Sequence, residues 1–177
     1  MKYIFDFDGV LFDTFKLREK IFVVFEEIGI SRILVKEYFE RERWNCFSLK
    51  KMLAYFSAQE SLYEEIMKEC KNFSNEKLLK IIKTIGKDNC FIITYGDKEF
   101  QQDKIKRTNI VEFFFDVVVV QNSKNEAIEK ICIEYGEEEV IFIDDSVKHF
   151  EDLNLAKYPN LRTILYTGQD LSILLQS

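Results

Sequence analysis

Four places in the sequence set ionisable or hydroxyl side chains at the end of an apolar run. Residues 2–7 end in Asp6-Phe7-Asp8-Gly9, residues 90–94 in Thr94-Tyr95-Gly96, and residues 140–143 in Asp144-Asp145. A fourth run, 115–120, leads into Gln121-Asn122-Ser123-Lys124. If the runs are strands of one parallel sheet, these endings share one edge and bring four carboxylates, a hydroxyl and an ammonium towards a single crevice. Carboxylates gathered that closely repel by roughly 4 kcal/mol per pair at about 4 Å and an effective dielectric near 20. A divalent cation relieves the repulsion, and an oxygen-only ligand set suits Mg²⁺ better than Zn²⁺. The lysine adds a second signal. Ser123-Lys124-Asn125-Glu126 reads as a capping box, with Ser123 as N-cap and Lys124 at the first helical position. A cation there opposes the helix dipole, which makes sense if an anion such as phosphate sits at the helix start. A solvated surface lysine is the other reading.

The elements that must position these groups can be drawn from periodicity. Five apolar runs, 2–7, 90–94, 115–120, 140–143 and 163–166, read as strands. Several are continuously apolar (VVVV, VIFI) and so suit strands covered on both faces. Residues 97–108, 124–135 and 147–157 have helical apolar spacing, so the last four strands alternate with helices. That alternation predicts an α/β fold, a doubly wound parallel five-stranded Rossmann-like core whose ligands sit at the carboxyl ends of the strands. Between the first two strands no strand signal occurs. Amphipathic helices can be drawn there with Thr14, Ser31, Ser48 and Ser74 as N-caps and Gly29 and Gly86 as stops. The helix at 75–85 feeds the second strand and belongs to the core. The expected organisation is therefore a core of residues 1–14 and 74–177 with a helical cap at 15–73, longer than a connection needs to be. Ile21, Val24, Phe25 and Ile28 form its apolar stripe.

Composition narrows the class. A chain of 177 residues that is 47% hydrophobic can bury a full core. With 31 acidic against 25 basic residues, net charge −6 and no basic stripe, nucleic acid is not an expected partner. The cysteines, Cys46, Cys70, Cys90 and Cys132, never form a C-x-x-C pair and read as reduced core thiols. The chain opens on a strand signal, and no apolar run approaches a membrane span. A cytoplasmic protein without a membrane partner is expected, as a monomer or weak dimer, and the sequon Asn72-Phe73-Ser74 carries no meaning there.

Taken together, Asp6-x-Asp8-Gly9-Val10-Leu11, Thr94 before Gly96, Lys124, and Asp144-Asp145, in that order, resemble the four motifs of the haloacid dehalogenase-like (HAD) phosphohydrolase superfamily. Nearly the whole chain outside the insertion takes part, and the insertion lies where members with a small helical cap carry theirs. The resemblance implies a Mg²⁺-dependent phosphatase acting on a small phosphorylated metabolite. Asp6 would attack phosphorus and form an aspartyl-phosphate. Asp8 would protonate the leaving oxygen and then deprotonate the hydrolytic water. Alternation along a strand would turn both carboxylates to one side, and their proximity would raise the pKa of one, as a general acid requires. Thr94 and Lys124 would hold the phosphoryl oxygens, helped by backbone N–H groups near Phe7 and Tyr95. Mg²⁺ would be held by Asp6, the Asp8 carbonyl and Asp145, with Asp144 direct or through water. Tyr95 departs from the asparagine that many relatives carry.

Substrate choice falls to the cap in such relatives. Arg43 and Trp44 offer a guanidinium and an indole that could face a small anionic or ring-bearing substrate, and they also fit a solvated helix face with a buried indole. His149 reads as a helix-surface residue and Cys90 as core packing. A phosphomutase shares every motif. A non-catalytic phosphoester-binding module does not need the nucleophile, and a dehalogenase is disfavoured because dehalogenating relatives lack the second acid.

Overall fold

A computed structural model describes residues 1–42, 45–151 and 153–176. Strand β1, Lys2–Phe5, is buried along its whole length because it lies in the middle of a sheet. It pairs in parallel with β2, Cys90–Tyr95, on one side and β4, Val140–Asp144, on the other. Strands β3, Asp116–Val120, and β5, Leu161–Leu165, are the two edges, giving the order β3-β2-β1-β4-β5, all parallel. The period-two alternation of strands divides the sheet between two apolar clusters. Tyr3, Phe5, Ile92 and Ile143 face one, with Phe100 and Ile105 of helix α6, Lys98–Arg107. Ile4, Ile93 and Phe142 face the other, with Ile128 and Ile131 of helix α7, Asn125–Glu134. Helices on both faces of a parallel sheet make this the expected doubly wound α/β fold.

Between β1 and β2 the chain forms α1 (Thr14–Glu27), α2 (Arg32–Arg41), α3 (Leu49–Tyr55), α4 (Ser61–Met67) and α5 (Glu76–Ile85). α5 packs Leu78, Leu79 and Ile82 inward, while α1 to α4 bury Ile21, Val24, Phe25, Val35, Met52 and Ile66 in the same cluster as the sheet's first face. Ile28, expected in that stripe, is 43% exposed because the helix has already ended at Glu27 before the positive-φ Gly29.

Several local expectations change. Strand β1 stops at Phe5 instead of residue 7, so Asp6 and Asp8 stand on the loop that leaves the sheet. Asp13, not Thr14, caps α1, its side chain accepting from the Lys16 amide at 3.0 Å. Asn75, not Ser74, caps α5. Ser48 stands at the N-cap of α3 without a side-chain capping bond, whereas Ser31 caps α2 as expected. The helix expected over 147–157 is only α8, Lys148–Glu151. Phe150 and Leu153 reach the second apolar cluster while Val147 and Leu155 are exposed, and the chain turns at Asn154, whose side chain accepts from the Lys157 amide. The valine run is an edge strand, half-buried instead of covered on both faces, with Phe115 exposed before it. Cys70, Cys90 and Cys132 are buried thiols, but Cys46 is only partly buried. No helix among the described residues is long and apolar enough to cross a membrane.

Asn75 is the pin between the returning chain and the sheet. Its side-chain amide donates to the Val10 carbonyl at 3.0 Å and the Tyr166 hydroxyl at 2.8 Å, while its carbonyl oxygen accepts from the Leu78 amide. The neighbouring Ser74 hydroxyl is buried without a partner among the described residues. Asn75→Ala should therefore lower stability by about 1–2 kcal/mol in urea unfolding, and Ser74→Ala should leave the midpoint unchanged or raise it. Equal losses for the two variants would return the cap to Ser74.

Candidate active site

The Asp6 amide donates to the Ile143 carbonyl at 2.9 Å, one step beyond the β1 ladder, and then the chain turns out of the sheet. Phe7 holds the turn. It is fully buried, its ring stacks on Phe12 at 5.0 Å, and its carbonyl accepts from the amides of Leu11 and Phe12 at 3.0 and 2.9 Å. Gly9 adopts φ +75°, and a Cβ there would lie 2.1 Å from Asp145 Oδ2. Glycine is needed on both counts, because the turn takes left-handed backbone and the Asp145 carboxylate occupies the space a side chain would fill.

Asp6 is held from the third and fourth strands' loops. Lys124, 3% exposed, places Nζ 2.8 Å from Asp6 Oδ1 and 2.6 Å from Asp144 Oδ2. It stands just before α7 and faces inward. The solvated-lysine reading is thus excluded. Lys124, not Ser123, is the N-cap of α7 and makes no side-chain capping bond, so the expected capping box does not form, and the Ser123 hydroxyl accepts from the Asn125 amide at 3.2 Å instead. Asp144 is wholly buried, with Oδ1 accepting from the Ser146 amide at 2.8 Å and Oδ2 shared between Lys124 and His149 Nδ1, the latter at 2.8 Å. One sequence expectation is corrected here: His149 is drawn into the site by the Asp144 carboxylate instead of lying on a helix surface. The same carboxylate anchors Lys124.

Asp8 is held by residues that sequence reasoning missed. Lys104, 2% exposed, reaches both Asp8 oxygens at 2.6 and 2.8 Å, Gln101 Nε2 donates at 2.6 Å, and the Thr14 hydroxyl donates at 2.7 Å. Gln101 also donates to the Tyr95 carbonyl at 2.9 Å. Two acceptors fix the orientation of its amide, and its Oε1 is left buried without a partner among the described residues. Leaving that oxygen unpaired costs about 1–3 kcal/mol, which the grip on Asp8 must offset. Gly96 makes the reach possible, since a Cβ there would come within 2.7 Å of Gln101 Nε2. A signal was present in the sequence. Helix α6 buries positions 100, 101, 104 and 105, a stripe of which half is polar. Polar residues on the core face of a helix are held there by a partner.

These contacts push the two carboxylates apart. Burial raises Asp6, Lys124 opposes and Asp144 reinforces, leaving its pKa at about 6. Burial would raise Asp8 too, but the Lys104 charge, aided by hydrogen bonds from Lys104, Gln101 and Thr14, holds it below the usual carboxylate range. The raised member of the pair is therefore Asp6 and not Asp8, contrary to the sequence expectation, because each carboxylate has its own lysine and only Asp6 shares its lysine with a second acid. Asp145 is raised by burial and by the Asp144 charge.

A cleft of about 390 Å³ opens over the edge, lined by Asp6, Asp8, Gly9, Tyr95, Lys124 and Asp145 together with Thr14, Arg18 and His149. Thr94, 1% exposed, is buried and not part of this lining. Arg43 and Trp44 lie outside the described residues. Oxygens of Asp6 and Asp144 and a nitrogen of His149 lie within 4.8 Å of one another, as metal ligands would, but the Lys124 ammonium already bridges the two carboxylates. Asp6 and Asp145 are the side-chain oxygens left for a cation. Asp145 has no ion-pair partner among the described residues, and its seat against Gly9 brings it beside the Asp6–Asp8 loop. An all-oxygen set with surplus negative charge fits Mg²⁺.

The family model for haloacid dehalogenase-like hydrolases matches residues 3–166. No curated protein is similar enough to match. Among solved structures, the L-2-haloacid dehalogenase of Xanthobacter autotrophicus is 12% identical with a TM-score of 0.62, over 99% of this chain and 80% of that one. A candidate β-phosphoglucomutase from Thermotoga maritima is 20% identical with a TM-score of 0.59, over 99% and 91%. The candidate HAD-hydrolase YfnB of Bacillus subtilis, bound to magnesium, is 15% identical with a TM-score of 0.54, over 92% and 84%. At these identities the structures share the fold. The family match spans nearly the whole chain, and this protein belongs to the haloacid dehalogenase-like hydrolases.

Proposed function

We propose that the protein is a Mg²⁺-dependent phosphatase that hydrolyses a small phosphomonoester through an aspartyl-phosphate on Asp6. One observation carries this reading. Both hydrogen-bonded contacts of the Asp6 carboxylate, from Lys124 and from the Phe7 amide, fall on Oδ1, and Oδ2 has none among the described residues while Asp6 lines the cleft. One oxygen is anchored and the other is free to attack, which is the arrangement a carboxylate nucleophile needs. The Lys124 ammonium, fixed by buried Asp144, is placed to neutralise charge on transferring phosphoryl oxygens. The backbone at Tyr95, which lines the cleft, is proposed to share that task, whereas Thr94 is buried outside the lining and is not placed to do so. Asp8, kept ionised by Lys104, is an acceptor ready to take the proton of the hydrolytic water. Protonating a leaving oxygen requires Asp8 to take up a proton against the Lys104 charge.

Asp6, Asp145 and the Asp8 carbonyl would hold Mg²⁺, which would offset the charge that phosphate brings to an already acidic edge. The magnesium-bound neighbour from Bacillus subtilis supports that choice of cation. A phosphomutase would use the same residues, as the candidate β-phosphoglucomutase among the neighbours illustrates. Release of inorganic phosphate, as against an isomeric phosphate ester, separates the two.

Asp6→Asn should lower phosphate release by at least about a thousandfold, measured against a panel of phosphomonoesters with Mg²⁺. Its effect on stability has the opposite sign. In the metal-free protein a carboxyl with a raised pKa binds its proton more tightly when folded, so stability falls as pH rises from 3.8 towards about 6. Asp6→Asn removes that dependence and should melt several degrees above the wild type at pH 7, the difference vanishing near pH 4. Retention of more than a few per cent of turnover overturns the nucleophile.

Removing divalent cations with excess chelator should abolish activity, and adding Mg²⁺ should raise the wild-type melting temperature. Asp145→Ala should shrink that thermal shift more than Asp144→Ala does, because Asp144 serves Lys124. Full activity in chelator would refute the metal site.

Lys104→Met should destabilise by about 2–4 kcal/mol in urea, below the cost of breaking a fully buried pair because the Asp8 side chain is 26% exposed. Asp8 has a depressed folded pKa, so the contribution is complete above pH 3.8 and fades as pH falls through the folded value. The double variant Lys104→Met/Asp8→Asn should recover most of the loss at pH 7. A double variant as unstable as Lys104→Met alone would show that the lysine acts by packing.

A further inference from the structure

A second cavity, of about 240 Å³, joins the phosphoryl cleft and shares Asp8, Thr14, Arg18 and Tyr95 with it. Its walls differ sharply from the cleft's. Leu17 and Ile21 of α1, Phe39 of α2, Phe47 of the following loop and Phe100 of α6 face it, and Glu42, Asn45 and Gln101 add polar groups to the lining. The Phe47 ring lies 4.9 Å from Phe39 and 5.4 Å from Phe100, so the helical segment and the sheet layer meet across an aromatic wall. The Arg18 guanidinium covers the Phe39 ring at 4.8 Å and has no carboxylate partner among the described residues. It marks the border between the polar cleft and the apolar cavity.

Asp6 fixes where phosphorus sits, and Asp8 lines both spaces, so the leaving group of a bound phosphomonoester extends past Asp8 into this second cavity. The polar groups of the lining are mostly engaged, the Glu42 oxygens with Arg41 and Asn45, Gln101 Nε2 with Asp8 and the Tyr95 carbonyl, and the Lys104 ammonium with Asp8. The hydroxyls of a sugar or polyol would therefore be set largely against the five apolar side chains, and burying such groups unpaired is costly. A flat hydrocarbon loses nothing there. A cavity of about 150 Å³ lined by Leu, Ile and Phe already accepts benzene, so this larger one accepts a single substituted ring. Aromatic walls favour a ring by edge and face contacts.

Resting on the phosphatase reading, we propose that the substrate class is a phosphomonoester of a small ring-bearing, largely apolar alcohol, whose ring packs between Ile21, Phe39, Phe47 and Phe100 while Arg18 closes the border. Phe47 is a specificity-determining residue under this assignment.

The test compares benzyl phosphate with glycerol 1-phosphate in the presence of Mg²⁺. Both leaving groups are primary alcohols, so the chemical step is matched and the cavity decides. Benzyl phosphate should have the higher kcat/KM by roughly tenfold or more. Phe47→Ala should remove most of that advantage, chiefly through KM, and the conservative Phe47→Leu should keep part of it. Phosphate release that is equal for the two esters, or faster from glycerol 1-phosphate, overturns the assignment and leaves the phosphatase reading standing. If neither ester releases phosphate, the phosphatase reading falls by itself, and calorimetric titration with benzylphosphonate decides the cavity. Binding that weakens in Phe47→Ala supports it, and absent binding or binding indifferent to Phe47 overturns it.

Discussion

Two buried ammonium groups make the carboxyl edge of this sheet possible. Asp6, Asp8, Asp144 and Asp145 converge on one end of the central strands, and carboxylates placed there without compensation would repel one another in a medium that screens poorly. Lys124 lies between Asp6 and Asp144, and Lys104 straddles both oxygens of Asp8. Much of the local architecture serves those two contacts. Gly96 clears the path by which Gln101 reaches Asp8, and Phe7, Phe12 and Phe100 surround the Lys104 ammonium at 5.0–5.4 Å with ring faces that tolerate a cation. Ser146 and His149 saturate Asp144, so that its charge is fixed where Lys124 needs it.

The two lysines do different work because their surroundings differ. Lys124 is shared by two acids, so neither Asp6 nor Asp144 has it alone, and the balance leaves Asp6 with an elevated pKa and Asp144 with a depressed one. Lys104 serves Asp8 without a second carboxylate in contact, and Gln101 and Thr14 add hydrogen bonds that only the charged form accepts fully. Residues two apart in sequence are thereby given opposite electrostatic tendencies. A bound cation beside Asp6 and Asp145 would favour ionised Asp6 and so offset the burial of that carboxylate.

The sheet and its edge chemistry were legible because they rest on local signals: continuous apolar strands, a period-two alternation, and acids at strand ends. Asp6, Lys124 and Asp145 could be placed from that alone. Lys104 and Gln101 could not, since a lysine on a polar helix looks solvated until the helix face is known, and the face depends on which strand it packs against. His149 was misplaced for the same reason. The helix at 147–157 was overdrawn because apolar spacing specifies a possible helix, whereas Phe150 and Leu153 reach the core from a single short turn and the chain then turns at Asn154. Asn75 displaced Ser74 as a cap through bonds to Val10 and Tyr166, contacts from distant parts of the chain that no local pattern contains.

Helix α6 links these layers of organisation. Its inner stripe delivers Gln101 and Lys104 to Asp8, while its outer residues meet the helical segment. Tyr63 donates to Asp103 at 2.8 Å, Arg107 bridges Glu64 and Asp103, and Lys50 pairs with Glu99. Exposed pairs of this kind contribute little each, typically less than about 1 kcal/mol. The aromatic contact of Phe47 with Phe100 and the shared apolar cluster therefore set how the helical segment docks on α6. Phe100 faces the second cavity from the same helix whose next turn holds Asp8. A group filling that cavity would contact Phe100 and so bear on Gln101, one position away, and Lys104, one turn on, which fix the second carboxylate. Under the proposed function, leaving-group recognition and the placement of Asp8 would in this way be carried by a single element.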